Sequence, residues 1–361
     1  KILTNLEFSP LEISSLLKRI QKSLESNGYP FVKIQLINAV IDENNLSADV
    51  KIELNNYYEW TKIHLKGDSS ISEVFITNLI GIKPNTPFSQ VDFANISKRI
   101  KQVNFINEIK PAEILFTKSG VELFLYLKSN PISSVNGVIG FQPNTVTNKI
   151  NLTGDISLKL VNVLKRGELF DLNWKSIQDQ TQSLHTKLNY PFIFKTNFGL
   201  DGQFNLYKLD SSFLELKSSL GVQYFMKGGN YIKVFYQNIS SNVLTQNTST
   251  ASMSNVHTNY YGLAIYRKQM DYIPNPSKGF AINSSIAIGT RKSVINDSAT
   301  TVSSTTYRGE FSIEWLYPIS KRHVFYFSNN SAFYYAPTIF QNELERFGGQ
   351  TTQRGFNEQE L

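Results

Sequence analysis

From about residue 132 onward the chain alternates apolar and polar residues with a period of two, and this constrains its fold more than any other feature. In "INLTGDISLKLVNVL", Ile150, Leu152, Ile156, Leu158 and Leu160 fall on one face, with Gly154 among them. Asn151, Thr153, Asp155, Ser157 and Lys159 fall on the other. "GELFDLNWKS" sets Phe170, Leu172 and Trp174 against Asp171, Asn173 and Lys175. "ELKSSLGVQYFM" sets Leu216, Leu220, Val222 and Tyr224 against Glu215, Lys217, Ser219 and Gln223. "FAINSSIAIGT" and "YRGEFSIEWLYPI" repeat the pattern through Phe280, Ile282, Ile286 and Ile288, then Tyr307, Phe311, Ile313 and Trp315. A period of two belongs to a strand whose two faces meet different surroundings. The pattern predicts about eleven strands, bounded to within a few residues. They lie near 134–142, 150–162, 167–176, 183–193, 196–208, 213–226, 230–240, 258–268, 278–290, 305–319 and 323–336. Two Ser/Thr/Asn-rich stretches, "SSNVLTQNTSTASMSNVHT" and "KSVINDSATTVSST", read as surface loops.

A soluble two-sheet sandwich shows the same alternation. Three features favour a transmembrane β-barrel. The strands run near ten residues, the length that crosses a bilayer at a tilt. Their polar faces carry Lys, Arg, Asp and Glu, as a water-filled interior allows. Tyr, Phe and Trp recur near strand ends, where interfacial girdles sit. Aromatic residues make up 13% of the 361 positions and charged residues 18%, so the chain is rich in the first and poor in the second. No apolar run is long enough for a membrane-spanning helix, which leaves barrels untouched.

The first third is different. "SPLEISSLLKRIQKSLESNGYP" places Leu11, Ile13, Leu16, Leu17, Ile20 and Leu24 at helical spacing, started by Ser9-Pro10 and stopped by Asn27-Gly28. Two strands follow, "FVKIQLINAVID" and "SADVKIEL", with "ENN" as the turn. The order then returns at greater length. "EWTKIHLKG" reads as a strand, "SEVFITNLIGI" as a helix and "QVDFANISKRIKQVNF" as a second helix. "AEILFT" and "VELFLYLK" close the series as two strands. Residues 57–130 read as a complete strand–helix–helix–strand–strand module and residues 1–56 as an incomplete copy. The order resembles the POTRA domain, which precedes outer-membrane barrels, and an exposed edge of such a sheet can pair with an extended peptide.

Two motifs in the strand region carry the resemblance further. "DYIPNPSKGFAINSSIAIG" has Pro276 and Gly279 at the P-x-x-G spacing that opens a strand in Omp85-type barrels. "FGGQTTQRGF" resembles the sixth-loop signature of that superfamily, with Gly348 and Gly349 ahead of Arg354, Gly355 and Phe356. Gln353 stands where the family usually has Val or Ile. The loop follows strand eleven of sixteen there, and eleven strands precede it here. The chain thus resembles the Omp85 superfamily, of the BamA/TamA type.

The resemblance implies a fold of α+β POTRA-like modules (1–56 partial, 57–130 complete) followed by a mainly antiparallel transmembrane β-barrel. Residues 131–361 would form its first eleven of sixteen strands. The chain would then stop within the sixth loop, about a hundred residues short of closure at ~20 residues per strand. A second chain closing the barrel is the alternative. The implied place is the outer membrane, with the N-terminal modules in the periplasm. The implied work is folding and inserting client β-barrel proteins through a weak lateral seam. That seam lies along the first strand, Val135, Gly137, Val138, Ile139, Gly140 and Phe141, with Pro143 beyond it. In the family the loop folds into the lumen, where Arg354 would seek carboxylates on the inner wall. Implied partners are unfolded outer-membrane clients, the lipid bilayer or lipopolysaccharide, and periplasmic or lipoprotein accessory subunits. The alternatives are a two-partner-type secretion pore of the same family, or an unrelated outer-membrane porin or enzyme.

Other chemistries find little support. The absence of Cys removes disulfides and thiolate sites. His64, His185, His257 and His323 show no metal-ligand spacing, and no nucleophile elbow or phosphate loop is present, so neither metal, cofactor nor enzymatic activity is expected. The net charge of +7 is spread thinly, which disfavours nucleic acid as a partner.

Overall fold

The structure is a computed structural model that describes residues 9–42, 45–68, 70–144, 149–176, 181–245, 252–273, 275–294 and 301–346. The chain divides into two compact units, Lys1–Asn130 and Pro131–Leu361.

The first unit holds two sheets. Helix α1 (Pro10–Glu25) precedes β1 (Lys33–Asp42) and β2 (Asn45–Glu53), which pair antiparallel. Then come β3 (Trp60–Gly67), α2 (Glu73–Ile80), α3 (Gln90–Ala94), α4 (Ile96–Ile100), β4 (Ile106–Thr117) and β5 (Gly120–Ser129). Their sheet has the order β3-β5-β4, with β5 parallel to β3 and antiparallel to β4. Helix α2 starts where the Ser72 hydroxyl accepts from the Phe75 N–H and ends at Gly81, whose φ of 68° suits glycine. The single helix expected over 90–105 is broken at Asn95. Its side-chain amide donates to the Val91 carbonyl at 2.7 Å while its backbone leaves helical geometry, the competition that Asn brings to helix interiors. The core is Trp60, Ile76, Leu79, Ile80, Phe88, Ile96, Ile100 and the inward side of β5.

The two sheets of this unit invite a direct comparison. Val50 and Ile52 on β2 alternate as Leu125 and Leu127 do on β5, yet the first pair is 37% and 43% exposed and the second 1% each. Among the described residues, β2 has only β1 beside it, whereas β5 lies between two strands. The two-stranded sheet therefore leaves more of its apolar side chains exposed than the three-stranded one does.

The second unit is one sheet of eleven strands, each antiparallel to the next. They are β6 (Ser134–Asn144), β7 (Lys149–Val161), β8 (Leu169–Ser176), β9 (Gln182–Tyr190), β10 (Phe198–Leu209) and β11 (Phe213–Phe225). After these come β12 (Tyr231–Val243), β13 (Val256–Met270), β14 (Gly279–Val294), β15 (Thr301–Pro318) and β16 (Val324–Tyr335). All eleven expected strands are present, most displaced by a few residues at either end. The outermost, β6 and β16, each have one described neighbour.

Register turns the alternation of each strand into two continuous faces. Asp155 pairs with Lys175, Lys159 with Asp171, and Asp171 with Lys187, all on one side. Ile156 with Trp174, and Phe170 with Leu188, lie on the other. On the apolar face an aromatic row crosses six strands: Leu220, Tyr236, Tyr261, Ile288, Tyr307 and Tyr335 are successive cross-strand partners. A second row, Phe280, Trp315 and Phe327, runs nearer the opposite strand ends.

The turn between β13 and β14 is built around Asp271. Its carboxylate accepts from the N–H groups of Tyr272, Ser277 and Lys278 at 2.9–3.1 Å and from the Ser277 hydroxyl. Burial works against its ionisation, but these donors outweigh that and hold its pKa down to about 2. A depressed carboxyl stabilises the fold above its unfolded pKa of about 3.9, and this contribution fades as pH falls through its folded value. Asp271→Asn is therefore expected to melt earlier than the parent at pH 6, with the gap closing by pH 2. Thermal scans in detergent at the two pH values check this, and a constant gap would remove Asp271 as its source.

Candidate functional site

The polar face of the eleven-strand sheet is the surface where charged side chains converge, and the segment after β16 lies across it. Residues 336–346 leave β16 and fold back over β11–β15. A short 3-10 turn, Gln341–Glu343, presents Asn342 and Glu343 to the sheet.

Arg291 on β14 is the centre. It stands in a register of small inward residues, Ala287, Gly289 and Ser293, which leaves room for its long side chain. Its guanidinium is 2% exposed and grips Glu343 with both arms, Nε to Oε1 at 2.8 Å and Nη2 to Oε2 at 2.6 Å. Its third arm donates to Ser293 Oγ at 3.1 Å. Glu343 also accepts from the Tyr334 hydroxyl at 2.7 Å and the Phe340 N–H at 3.0 Å. A buried carboxylate with four donors is fully satisfied, the condition under which a buried ion pair is tolerated. Asn342 adds neutral bonds, donating to Ser241 Oγ and the Ser254 carbonyl at 2.8 Å each and accepting from the Ser254 N–H at 3.2 Å. Two further ion pairs extend the contact. Arg308 on β15 meets Glu345. Arg346 lies 3.4 Å from Glu215 on β11, with its guanidinium over the rings of Tyr207 and Phe213 at 4.3 and 4.9 Å. The root of this loop is thus tied to β10–β16 by charge and hydrogen bonding, with little apolar burial.

A second polar cluster sits elsewhere on the same face. Lys233 donates to Asp201 at 2.8 Å, both nearly buried, and Asn189 donates to the Gln223 side-chain oxygen at 2.7 Å. These groups furnish the wall with paired charges and show no nucleophile beside a base. No cluster of metal-binding side chains occurs among the described residues.

The residues singled out from sequence fall into three groups. Gly348, Gly349, Arg354, Gly355 and Phe356 lie outside the described residues. Pro276 and Gly279 lie at the Asp271 turn, where Gly279 opens β14 at φ 132°. Val135, Gly137, Val138, Ile139, Gly140 and Phe141 all lie on β6, whose far edge has no described neighbour. Val135 and Phe141 are 73% and 75% exposed. The structure does not bring β6 and Gly279 together, since seven strands separate them in the sheet. The sequence reading missed Arg291, Arg308, Glu215, Asn342, Glu343 and Arg346. One local sign was present, a lone Arg291 in a run of small inward residues, but its partner is 52 residues away.

No family model matches the chain, and no curated protein matches it. Solved structures do. BamA from Haemophilus ducreyi lacking POTRA domains 1–3 matches at 14% identity over 99% of this chain and 71% of that one, with a TM-score of 0.45. CdiB from Acinetobacter baumannii matches at 14% over 97% of this chain and 65% of that one, with a TM-score of 0.56. CdiB from Escherichia coli matches at 12% over 97% and 67%, with a TM-score of 0.53. The chain spans about two thirds of the length of the CdiB structures. BamA and CdiB are Omp85-superfamily β-barrels, and the two CdiB superpositions show that this chain shares the antiparallel strand arrangement of those structures, with eleven strands in one sheet among the described residues.

Proposed function

We propose that this chain supplies POTRA-like periplasmic modules and the leading strands of an Omp85-type outer-membrane protein that folds and inserts client β-barrel proteins. The observation that carries this reading is the makeup of β6, the strand at one end of the described sheet. It pairs with β7 along one side from Ser134 to Asn144 and has no described partner along the other. Pro143 has no N–H to give, and Gly137 and Gly140 offer no side chains to pack, so β6 is a weakly pairing strand. A weakly paired edge exchanges one strand for another at low cost, and a client strand can add to it through backbone hydrogen bonds.

Placement in a membrane is supported by the apolar face. From Tyr307 to Trp315 or Tyr317 on β15 is eight or ten residues. That is about 27–34 Å of strand, or about 21–26 Å along the bilayer normal at a tilt near 40°. The apolar band of outer-membrane barrels is about 25 Å tall. The strand carboxylates lie on the opposite, polar face, which suits an aqueous interior.

Because the chain contains no Cys, a single thiol can report on the edge. Gln142→Cys in the full-length protein is expected to form a disulfide with a cysteine in the last strand of a denatured β-barrel client during its insertion into liposomes. A thiol on β11, at Ser218→Cys, should not. Equal capture at both positions would sink the edge as the client site. Absent capture, together with steady conductance in planar bilayers, would favour the secretion pore instead.

A further inference from the structure

The apolar face of the sheet sorts charge by sign. Asp155, Asp171, Asp201, Glu215, Glu310 and Glu314 all take polar-face register positions. The charges that share the apolar face in β7–β16 are Lys208, Arg267 and Lys292, among the described residues. Arg267 lies over the Phe280 ring at 5.4 Å, whereas Lys292 stands among polar side chains. Lys292 is the direct cross-strand partner of His257, and both are exposed.

These two stand just beyond the aromatic row. One register step past Tyr236 and Tyr261 lie Asn238, Asn259, Thr290 and Thr305; one step further lie Ser240, His257, Lys292 and Ser303. The first of these rows is tied together. The Tyr236 hydroxyl donates to Asn259 Oδ1 at 2.7 Å, and Asn238 donates to the same oxygen at 2.8 Å. The Asn238 amide also lies 3.2 Å from His257 Nε2. An amide NH₂ only donates, so Nε2 accepts and Nδ1 carries a proton that can be donated outward. The patch thus offers an ammonium, a ring N–H, and hydroxyls and amides, and no carboxylate among the described residues shares its register rows. Below it, Leu263, Ile286 and Ile288 are exposed and apolar.

We propose that Lys292 and His257 hold the phosphate of an anionic lipid headgroup in the outer leaflet, with that lipid's acyl chains lying along Leu263, Ile286 and Ile288. This rests on the membrane placement above. Charge complementarity selects the ligand: a phosphate oxygen accepts from both donors at once, and charge-assisted bonds of this kind are the strong ones. Tyr261 sits at the level where aromatic rings meet headgroups, which fixes the depth.

The test uses full-length protein in phosphatidylcholine nanodiscs doped with phosphatidylglycerol or lipid A, read by native mass spectrometry. The parent is expected to retain the anionic lipid about tenfold better than the Lys292→Ser, His257→Gln double variant. Equal retention by both would overturn the site, as would displacement of the lipid by millimolar inorganic phosphate, which would make it a free-anion site. Quenching of Trp174 and Trp315 fluorescence by brominated acyl chains reads the membrane placement separately. Quenching with equal retention removes only this site, whereas absent quenching removes the placement and the site with it.

Discussion

Arg291→Ala is expected to destabilise the full-length protein by about 3–5 kcal/mol, the range seen when one partner of a buried ion pair is removed. The large value comes from what is left behind. Glu343 has a side chain only 8% exposed, and it would lose both guanidinium donors while keeping Tyr334 and the Phe340 N–H. Two neutral donors do not replace a guanidinium fork. Arg291→Lys keeps the charge but offers a point donor, so an intermediate loss is expected. The double variant Arg291→Met, Glu343→Leu should recover much of the single-variant loss, since no unpaired charge remains. Urea unfolding in detergent, followed by tryptophan fluorescence, measures all three. A loss under about 1 kcal/mol for Arg291→Ala would mean that the 336–346 segment does not bind the polar face in solution.

The second large effect is expected at Gly279. Its φ of 132° is a conformation that side-chain-bearing residues rarely adopt, and an added Cβ would sit 2.1 Å from the Gln269 carbonyl oxygen and 2.8 Å from Met270 Cα. Both obstacles are backbone of β13, held by the β13–β14 ladder, so neither can yield cheaply. Strained backbone of this kind costs about 1–3 kcal/mol before the clash is added. Gly279→Ala should therefore lower the yield of heat-modifiable folded protein on gels severalfold. Gly202→Ala is the matched control, because there an added Cβ meets only Leu220 Cδ2 at 3.7 Å. A change within about 0.5 kcal/mol is expected at that site. If both substitutions behaved alike, the Asp271 turn would not be what starts β14.

The strands were legible because their signal is local. Phe170, Leu172 and Trp174 declare a face using residues two apart, and no distant partner is needed to see it. The P-x-x-G spacing was legible for the same reason, since Gly279 lies within the turn it closes. The helix expected over 90–105 was misread in two places: it breaks at Asn95, whose side chain bonds back to Val91, and its second segment stops at Ile100, so residues 101–105 are turn and bend. Strand β4 starts at Ile106, ahead of the "AEILFT" run, because β5 pairs with it through bulges near Lys110 and Pro111 that no alternation announces.

The amino-acid sequence alone determined that the later part of this chain is a two-faced sheet, since alternation is written between near neighbours. It did not determine which charges meet. Glu343 finds Arg291, Glu345 finds Arg308 and Arg346 finds Glu215 only after β16 is in place and the following residues turn back over the polar face. Those pairings depend on strand register and on the path of one connecting segment. Both are settled when the sheet assembles, because only then do side chains up to 131 positions apart share one surface.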